Sequence, residues 1–184
     1  MSNDRAAASG PLDREFERFV RQASPGLLQS AYVLVGNLND AEDLLQVVLL
    51  RTLARWEAIE GAPAAYAFAV MVNLSRDRRR ARRRRPVTIS QDYTQEPAIA
   101  DEIDRVLERD AIVRVARRLP RRQREILACR FLLELSVPET ATALGVPEGT
   151  VKSYTARALN RMRAMLEADH GAVPNPEQKV ADAQ

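Results

Sequence analysis

Residues Leu119–Leu166 read LPRRQREILACRFLLELSVPETATALGVPEGTVKSYTARALNRMRAML, and the turn chemistry inside this stretch decides the fold. Ser136 followed by Glu139 has the spacing of a capping box, and Pro138 falls in the first turn, where a missing N–H costs little. Ala141, Leu144 and Val146 supply apolar contacts, and Gly145 stops the helix where a left-handed residue is needed. A second helix then opens at Thr150 to Ser153. The pattern is a helix-turn-helix whose second helix can enter a major groove by its N-terminal end.

Ahead of it, Leu119 and Pro120 start a helix expected to run from Arg121 to Leu133, with Ile126, Leu127, Phe131 and Cys129 inward. On the second helix of the motif, Val151, Thr155, Ala158, Leu159 and Met162 form the inward stripe. Thr150, Lys152, Ser153, Arg157, Asn160 and Arg161 are left for DNA. Short polar groups near the N-terminus can reach base edges, and the cations suit phosphates. A helical hairpin docked on another protein is the competing reading of the same pattern.

Working outward, the charge is distributed in blocks. The chain has 184 residues and a net charge of only +3. Residues 76–85 carry eight basic groups and one acidic, while residues 86–110 carry two and seven. Residues 111–166 carry eleven and four. Two basic blocks flanking an acidic one predict two separate nucleic-acid contacts. Charge alone would also allow a localisation signal or a solvated helix end, although eight arginines exceed what helix-dipole compensation requires.

The N-terminal part is helical by period. Phe16, Phe19 and Val20 share one face of a helix beginning at Asp13, and Ser24 with Pro25 predicts a fresh helix ending near Gly36. Asn39 and Glu42 predict a capping box for a helix from Asp40 to about Trp56, with Leu44, Leu45, Val48, Leu49 and Leu53 inward. Its opposite face carries Asp40, Asp43, Gln46 and Arg51, interrupted by Val47 and Leu50. Exposed aliphatics among charges suit a partner surface, and a helix buried on both sides by its own domain would read the same way. A further helix from Pro63 to about Arg85 places Ala67, Val70, Met71 and Leu74 inward and Asn73, Arg76 and Arg80 outward, with the Arg82–Arg85 run after them. Arginine reads guanine or phosphate, and asparagine reads adenine.

The resulting expectation is an all-α chain of two small helical domains joined by a flexible linker. Residues 1–12 are expected to be disordered, 13–85 form the first domain, and 86–100 the acidic linker. Residues 101–167 form the helix-turn-helix domain, and 168–184 a disordered tail. No spacing predicts a metal site, a nucleophile or a phosphate-binding glycine loop, so no cofactor, metal or catalytic residue is expected. His170 is far in sequence from any acid–base partner. Cys129 is the single cysteine, which fits a reducing cytosol. No apolar run approaches the ~20 residues of a membrane span. A soluble cytoplasmic protein is expected.

In their order and spacing, DAEDLLQ at Asp40–Gln46, PAAYAFAVMVNLSRDRRR at Pro63–Arg80, LPRRQREIL and LGVPEGTVKSYTARAL resemble the extracytoplasmic-function sigma factors. These are promoter-specificity subunits of bacterial RNA polymerase. The resemblance covers residues 13–166. It implies that Asp40, Asp43, Gln46, Val47 and Leu50 dock on the clamp of the largest subunit of core polymerase. It implies that the Pro63–Arg80 helix serves the promoter −10 element, with Asn73, Asp77 and Arg80 at the family's positions. The outward Arg76 and Arg83 join Asn73 and Arg80 as −10 candidates, with a flipped base captured near the Glu57–Ala62 loop. The recognition helix would hold the −35 element, and the acidic linker would thread the RNA channel. An anti-sigma protein is an implied partner, and the nucleoid an implied location. The family pattern has an acidic residue where Val47 stands and a serine cap where Pro147 stands. A free-standing operator-binding regulator is the alternative; it leaves the first two segments without a use.

Overall fold

The computed structural model describes residues 11–84 and 111–171, and among them every regular element is helical. The first domain holds α1 (Pro11–Val35), α2 (Leu38–Leu53), a single 3-10 turn at Trp56–Ala58, and α3 (Pro63–Arg84). The second holds α4 (Ala111–Arg118), α5 (Arg121–Leu127), a π turn at Ala128–Leu132, α6 (Val137–Leu144) and α7 (Glu148–Gly171). The acidic linker at 86–100, most of the expected N-terminal segment 1–12, and most of the tail 168–184 lie outside the described residues. Pro11–Leu12 and Ala168–Gly171 are helical extensions of α1 and α7.

α1 is one helix, where Ser24 and Pro25 had predicted two. Phe19, Ala23, Leu27 and Ala31 continue a single apolar stripe across Pro25, each four residues from the last. Burial of that stripe outweighs the roughly 3 kcal/mol cost of an interior proline, which is itself exposed. Gly36, at φ 102°, ends the helix with its N–H on the Tyr32 carbonyl. α2 then starts two residues earlier than expected. Its cap is Asn37, not Asn39: the Asn37 side chain accepts from the Asp40 N–H at 2.8 Å and donates to the Asp40 carboxylate at 2.9 Å. α2 also ends before Trp56, which turns back to pack edge-on against Phe16 and tilted against Phe19, with ring centroids 5.1 Å from each.

Leu27, Tyr32, Leu44, Val48, Phe68 and Met71 make the centre of the first domain, all at most 1 % exposed. Of the predicted inward residues of α2, Leu53 is instead 45 % exposed, because Thr52 takes the buried position and bonds back to the Val48 carbonyl. In the second domain Val115, Ile126, Cys129, Val151 and Ala158 are buried. Burial first, and the Glu125 charge second, push the Cys129 thiol far above its ordinary value, so it stays protonated. The core is continuous from one domain to the other, because α1 packs against α4, α5 and the π turn, and α3 against α6.

The helix expected from Arg121 to Leu133 keeps α geometry only to Leu127. The wider π turn inserts a residue, which rotates Phe131 out of the core to 53 % exposure. Arg130 then ties the segment down by donating to the Leu135 carbonyl. The predicted capping box is present: the Ser136 N–H donates to Glu139 at 2.7 Å, and the Glu139 N–H to the Ser136 hydroxyl at 3.3 Å. The Ser136 side chain first, and its main-chain N–H second, hold the Glu139 carboxyl below its ordinary value. Ser136→Ala is expected to cost about 1 kcal/mol at pH 7. Because folding lowers this pKa, the Glu139 contribution is present above the unfolded value of about 4.3 and is lost as pH falls through the folded value. The gap in urea midpoint between parent and variant should therefore narrow between neutral pH and about pH 3, leaving the part due to the uncharged cap bond from the Glu139 N–H to Ser136. A constant gap would leave the box without an ionic component.

Candidate nucleic-acid interface

Gly145, at φ 62°, turns the chain from α6 into α7, and the Val146 N–H closes the turn on the Ala141 carbonyl. Pro147 has no side-chain acceptor, yet its carbonyl receives the N–H groups of Thr150 at 2.9 Å and Val151 at 3.2 Å. The recognition helix thus begins on a main-chain anchor. Val151, Ala158 and Met162 face inward as predicted. Leu159 does not; it is 41 % exposed, and Tyr154 occupies the half-buried position between Val151 and Ala158.

The outward face is assembled as expected. Thr150, Ser153, Arg157, Asn160 and Arg161 follow one another at helical spacing, and all but the half-buried Thr150 are exposed. Lys152 is exposed on the adjoining strip. The Arg157 guanidinium lies 5.8 Å from the Tyr154 ring, which holds its long side chain against the helix. The Ser153 hydroxyl donates to the Thr150 carbonyl at 3.1 Å.

On α3, Asn73, Arg76, Arg80 and Arg83 share a face at spacings of three and four. Asn73 is exposed, and Arg80 is exposed with Asp77 3.8 Å away. The side chain of Arg83 lies outside the described residues. Arg76 differs from the expectation of an outward cation. It is directed at the second domain, with its Nη2 2.8 Å from the Glu125 carboxylate. Glu125 is fully buried and also receives Arg121 at 2.6 Å and Arg122 at 3.4 Å. The sequence offered no signal for this meeting, because Arg76 and Glu125 are 49 residues apart and belong to different periodic stripes.

On α2, Asp43, Gln46 and Leu50 are exposed beside half-buried Val47, and Leu50 is 67 % accessible. Asp40 sits at the edge of this patch and is half-buried. Its carboxylate holds Asn37 and its carbonyl accepts from Arg78 at 3.3 Å. The Glu57–Ala62 loop borders the Phe16, Phe19 and Trp56 rings, and Gly61 there has φ 88°. Among the described residues no group of histidine, cysteine, aspartate and glutamate could hold a metal, and no helix is long and apolar enough to cross a membrane.

Two family models match in chain order: sigma-70 region 2 over residues 19–85, and sigma-70 region 4 over residues 109–162. An RNA polymerase sigma-E factor of Streptomyces coelicolor is 40 % identical over 156 residues, covering 84 % of this chain and 87 % of that protein. The chain belongs to the extracytoplasmic-function sigma factors of the sigma-70 family. The sigma factor SigL of Mycobacterium tuberculosis, named as one of this group, is 34 % identical over 77 % of the chain and 82 % of its own length. The fold agrees. RpoE of Bartonella quintana, solved with the anti-sigma factor NepR, superposes with a TM-score of 0.62 at 24 % identity over 85 % of this chain and 99 % of that one. CnrH, solved with the cytosolic domain of CnrY, gives 0.60 at 23 % identity over 85 % and 90 %. Both halves of this sigma factor are accounted for, so the free-standing regulator reading falls away: it would leave the region 2 match unexplained.

Proposed function

We propose that this sigma factor binds core RNA polymerase through Asp43, Gln46, Val47 and Leu50, with Asp40 at the edge. It places Asn73, Arg76, Arg80 and Arg83 on the −10 element, and Thr150, Lys152, Ser153, Arg157, Asn160 and Arg161 on the −35 element. Residues 13–85 and 101–167 act as the two gripping units, with 86–100 between them. The chain performs no chemical step of its own and works in the cytoplasm, where polymerase and nucleoid are. The observation that carries this reading is the pairing of two surfaces on one chain: a recognition helix with its polar face open, and a separate helix with Leu50 and two polar groups exposed. A DNA reader alone has no use for the second.

Adding the purified chain to core polymerase should yield new promoter-specific transcripts. Tight operator binding without polymerase, and no transcripts with it, would overturn the proposal. Arg157→Ala should weaken −35 binding uniformly across sequences and reduce the slope of log affinity against log salt by about 1, as loss of one phosphate contact requires. Parallel slopes would remove Arg157 from the contact.

An anti-sigma protein is the second proposed partner. RpoE was solved with the anti-sigma factor NepR, and CnrH with the cytosolic domain of CnrY. In this chain an apolar groove of about 730 Å³ runs between α4, the π turn and α7, with Ile112, Phe131 and Leu159 exposed along it. An amphipathic helix presenting apolar groups at helical spacing fits such a trough.

A further inference from the structure

Seven arginines meet where α3 faces α5. Arg78, Arg79, Arg121 and Arg124 line a narrow cavity of about 140 Å³, together with Asp40. Arg79 and Arg121 also border a wider cavity of about 390 Å³, whose other walls are Arg76, Arg80 and Arg122. The shared pair makes the two spaces adjoin.

The carboxylates at hand are too few. Among the described residues, Asp40 borders the narrow cavity, Asp77 lies 3.8 Å from Arg80, and Glu125 takes Arg76, Arg121 and Arg122 together. Seven cations against three carboxylates leave a surplus of four positive charges. The surplus is felt inside the site: burial first, and then the charges of Arg79, Arg117 and Arg121, disfavour the charged form of Arg124. Pairing is also incomplete. Nη2 of Arg121 and Nε of Arg124 are buried with no hydrogen-bond partner. Buried donors left without acceptors carry a desolvation cost that an incoming anion removes.

Charge and width together select the anion. Guanidinium forks suit phosphoryl and carboxylate oxygens, but four charges exceed the roughly two that a single phosphate carries. The narrow cavity is below the roughly 300 Å³ at which pockets for whole small molecules begin, and the wider one is above it. A ligand that fills both has a compact anionic end and a longer anionic body.

We propose that this arginine cluster is a binding site for an oligophosphate, a chain of two or more linked phosphoryl groups. The terminal group sits in the narrow cavity and the rest of the chain in the wider one, with Arg79 and Arg121 holding the bridge between them. Glu125 is a positioning residue that keeps Arg76, Arg121 and Arg122 side by side. The chain belongs to an inorganic polyphosphate or to a nucleoside polyphosphate, and the phosphates are the part recognised. Arg76 and Arg80 are shared with the −10 surface, so ligand and promoter compete for them; that consequence rests on the proposed function, and the site itself does not.

Calorimetric titration of the full chain, without magnesium and at about 0.15 M salt, tests this. The probes are inorganic triphosphate, guanosine triphosphate, inorganic phosphate and a short oligothymidylate. Triphosphate should bind once per chain, and roughly tenfold or more above inorganic phosphate. Arg79→Gln and Arg124→Gln should each weaken it about tenfold or more, as loss of a charge-assisted contact requires. Arg79 is exposed, so its variant should fold as the parent does. Arg79→Lys, which keeps the charge and loses the fork, should recover only part of the affinity. Arg14→Gln, at an exposed residue of α1, should change nothing. Equal binding of the two triphosphates would support a site that reads the phosphate chain alone; tighter binding of the nucleotide would support one that also houses a nucleoside in the wider cavity.

No binding of either triphosphate to the parent would overturn the site. So would an equal loss in Arg14→Gln, the mark of diffuse attraction, or inorganic phosphate binding as tightly as triphosphate. Oligothymidylate that matches triphosphate in affinity and in its dependence on Arg79 and Arg124 would make the cluster a nucleic-acid surface and overturn the small-ligand reading. None of these readouts uses polymerase or promoter, so failure of the proposed function leaves them intact.

Discussion

Phe68→Ala is expected to lower the unfolding free energy by about 3–5 kcal/mol, a large part of the roughly 5–15 kcal/mol that holds a domain of this size together. Phe68 lies on α3 with no exposed surface, at the centre of the first domain's core among residues from all three of its helices. Truncation removes a ring's worth of transfer free energy and leaves a cavity that helices capped at fixed points cannot fill. Urea unfolding should show a lower midpoint with an unchanged slope. Phe68→Leu, which keeps most of the volume, should cost much less. A loss below about 1 kcal/mol for the alanine variant would mean that α3 does not pack as described. The functional consequence would be indirect: Asn73, Arg76 and Arg80 keep their chemistry but lose the helix that aims them.

Leu50→Asp gives the second large effect, in binding and not in stability. Leu50 is 67 % exposed, so the substitution should move unfolding by no more than about 0.5 kcal/mol. If Leu50 is the apolar centre of the polymerase contact, aspartate there places an unpaired charge in a desolvated interface. A hot-spot loss of about 2 kcal/mol or more follows, or at least roughly thirtyfold weaker binding to core polymerase. Transcription should fall in step and recover with excess sigma factor. An unchanged affinity would move the docking surface off this face of α2. Val47 bears on the same proposed surface: it is half-buried beside Leu50, so if polymerase docks here an apolar residue would add to a hydrophobic contact where the family pattern has a charge.

These expectations draw on parts of the molecule that were unequally legible in the sequence. Ser136, Pro138, Glu139 and Gly145 act within one turn of themselves, and the structure has each in its predicted role. The exposed face of α7 was legible for the same reason, since a period of 3.6 separates Ser153 and Arg157 from Val151 and Ala158. Local chemistry misled where tertiary burial overrode it. Pro25 looked like a helix start, but the stripe from Phe19 to Ala31 is stabilised more by continuing than by breaking. Asn39 looked like a cap, although the conformation set by Gly36 gave that role to Asn37.

Phe131 and Leu159 were both placed inward by an unbroken helical period. Phe131 turns out because a π turn shifts the phase, and Leu159 is exposed because it lines the open groove between α7, α4 and the π turn. The pairing of Arg76 with Glu125 was not legible at all. Nothing in either segment marks a partner in the other, and a charge on a predicted helix reads as solvated until another surface covers it.

The π turn at Ala128–Leu132 has a consequence beyond the exposure of Phe131. In a regular helix each added residue rotates everything beyond it by about 100°. Here the surplus residue is absorbed within a single turn, and Arg130 anchors the exit on Leu135. A change of length at this joint would therefore move Phe131 against Leu159 and Met162 of α7, the far wall of the groove, and reshape the trough without touching a residue of the recognition face.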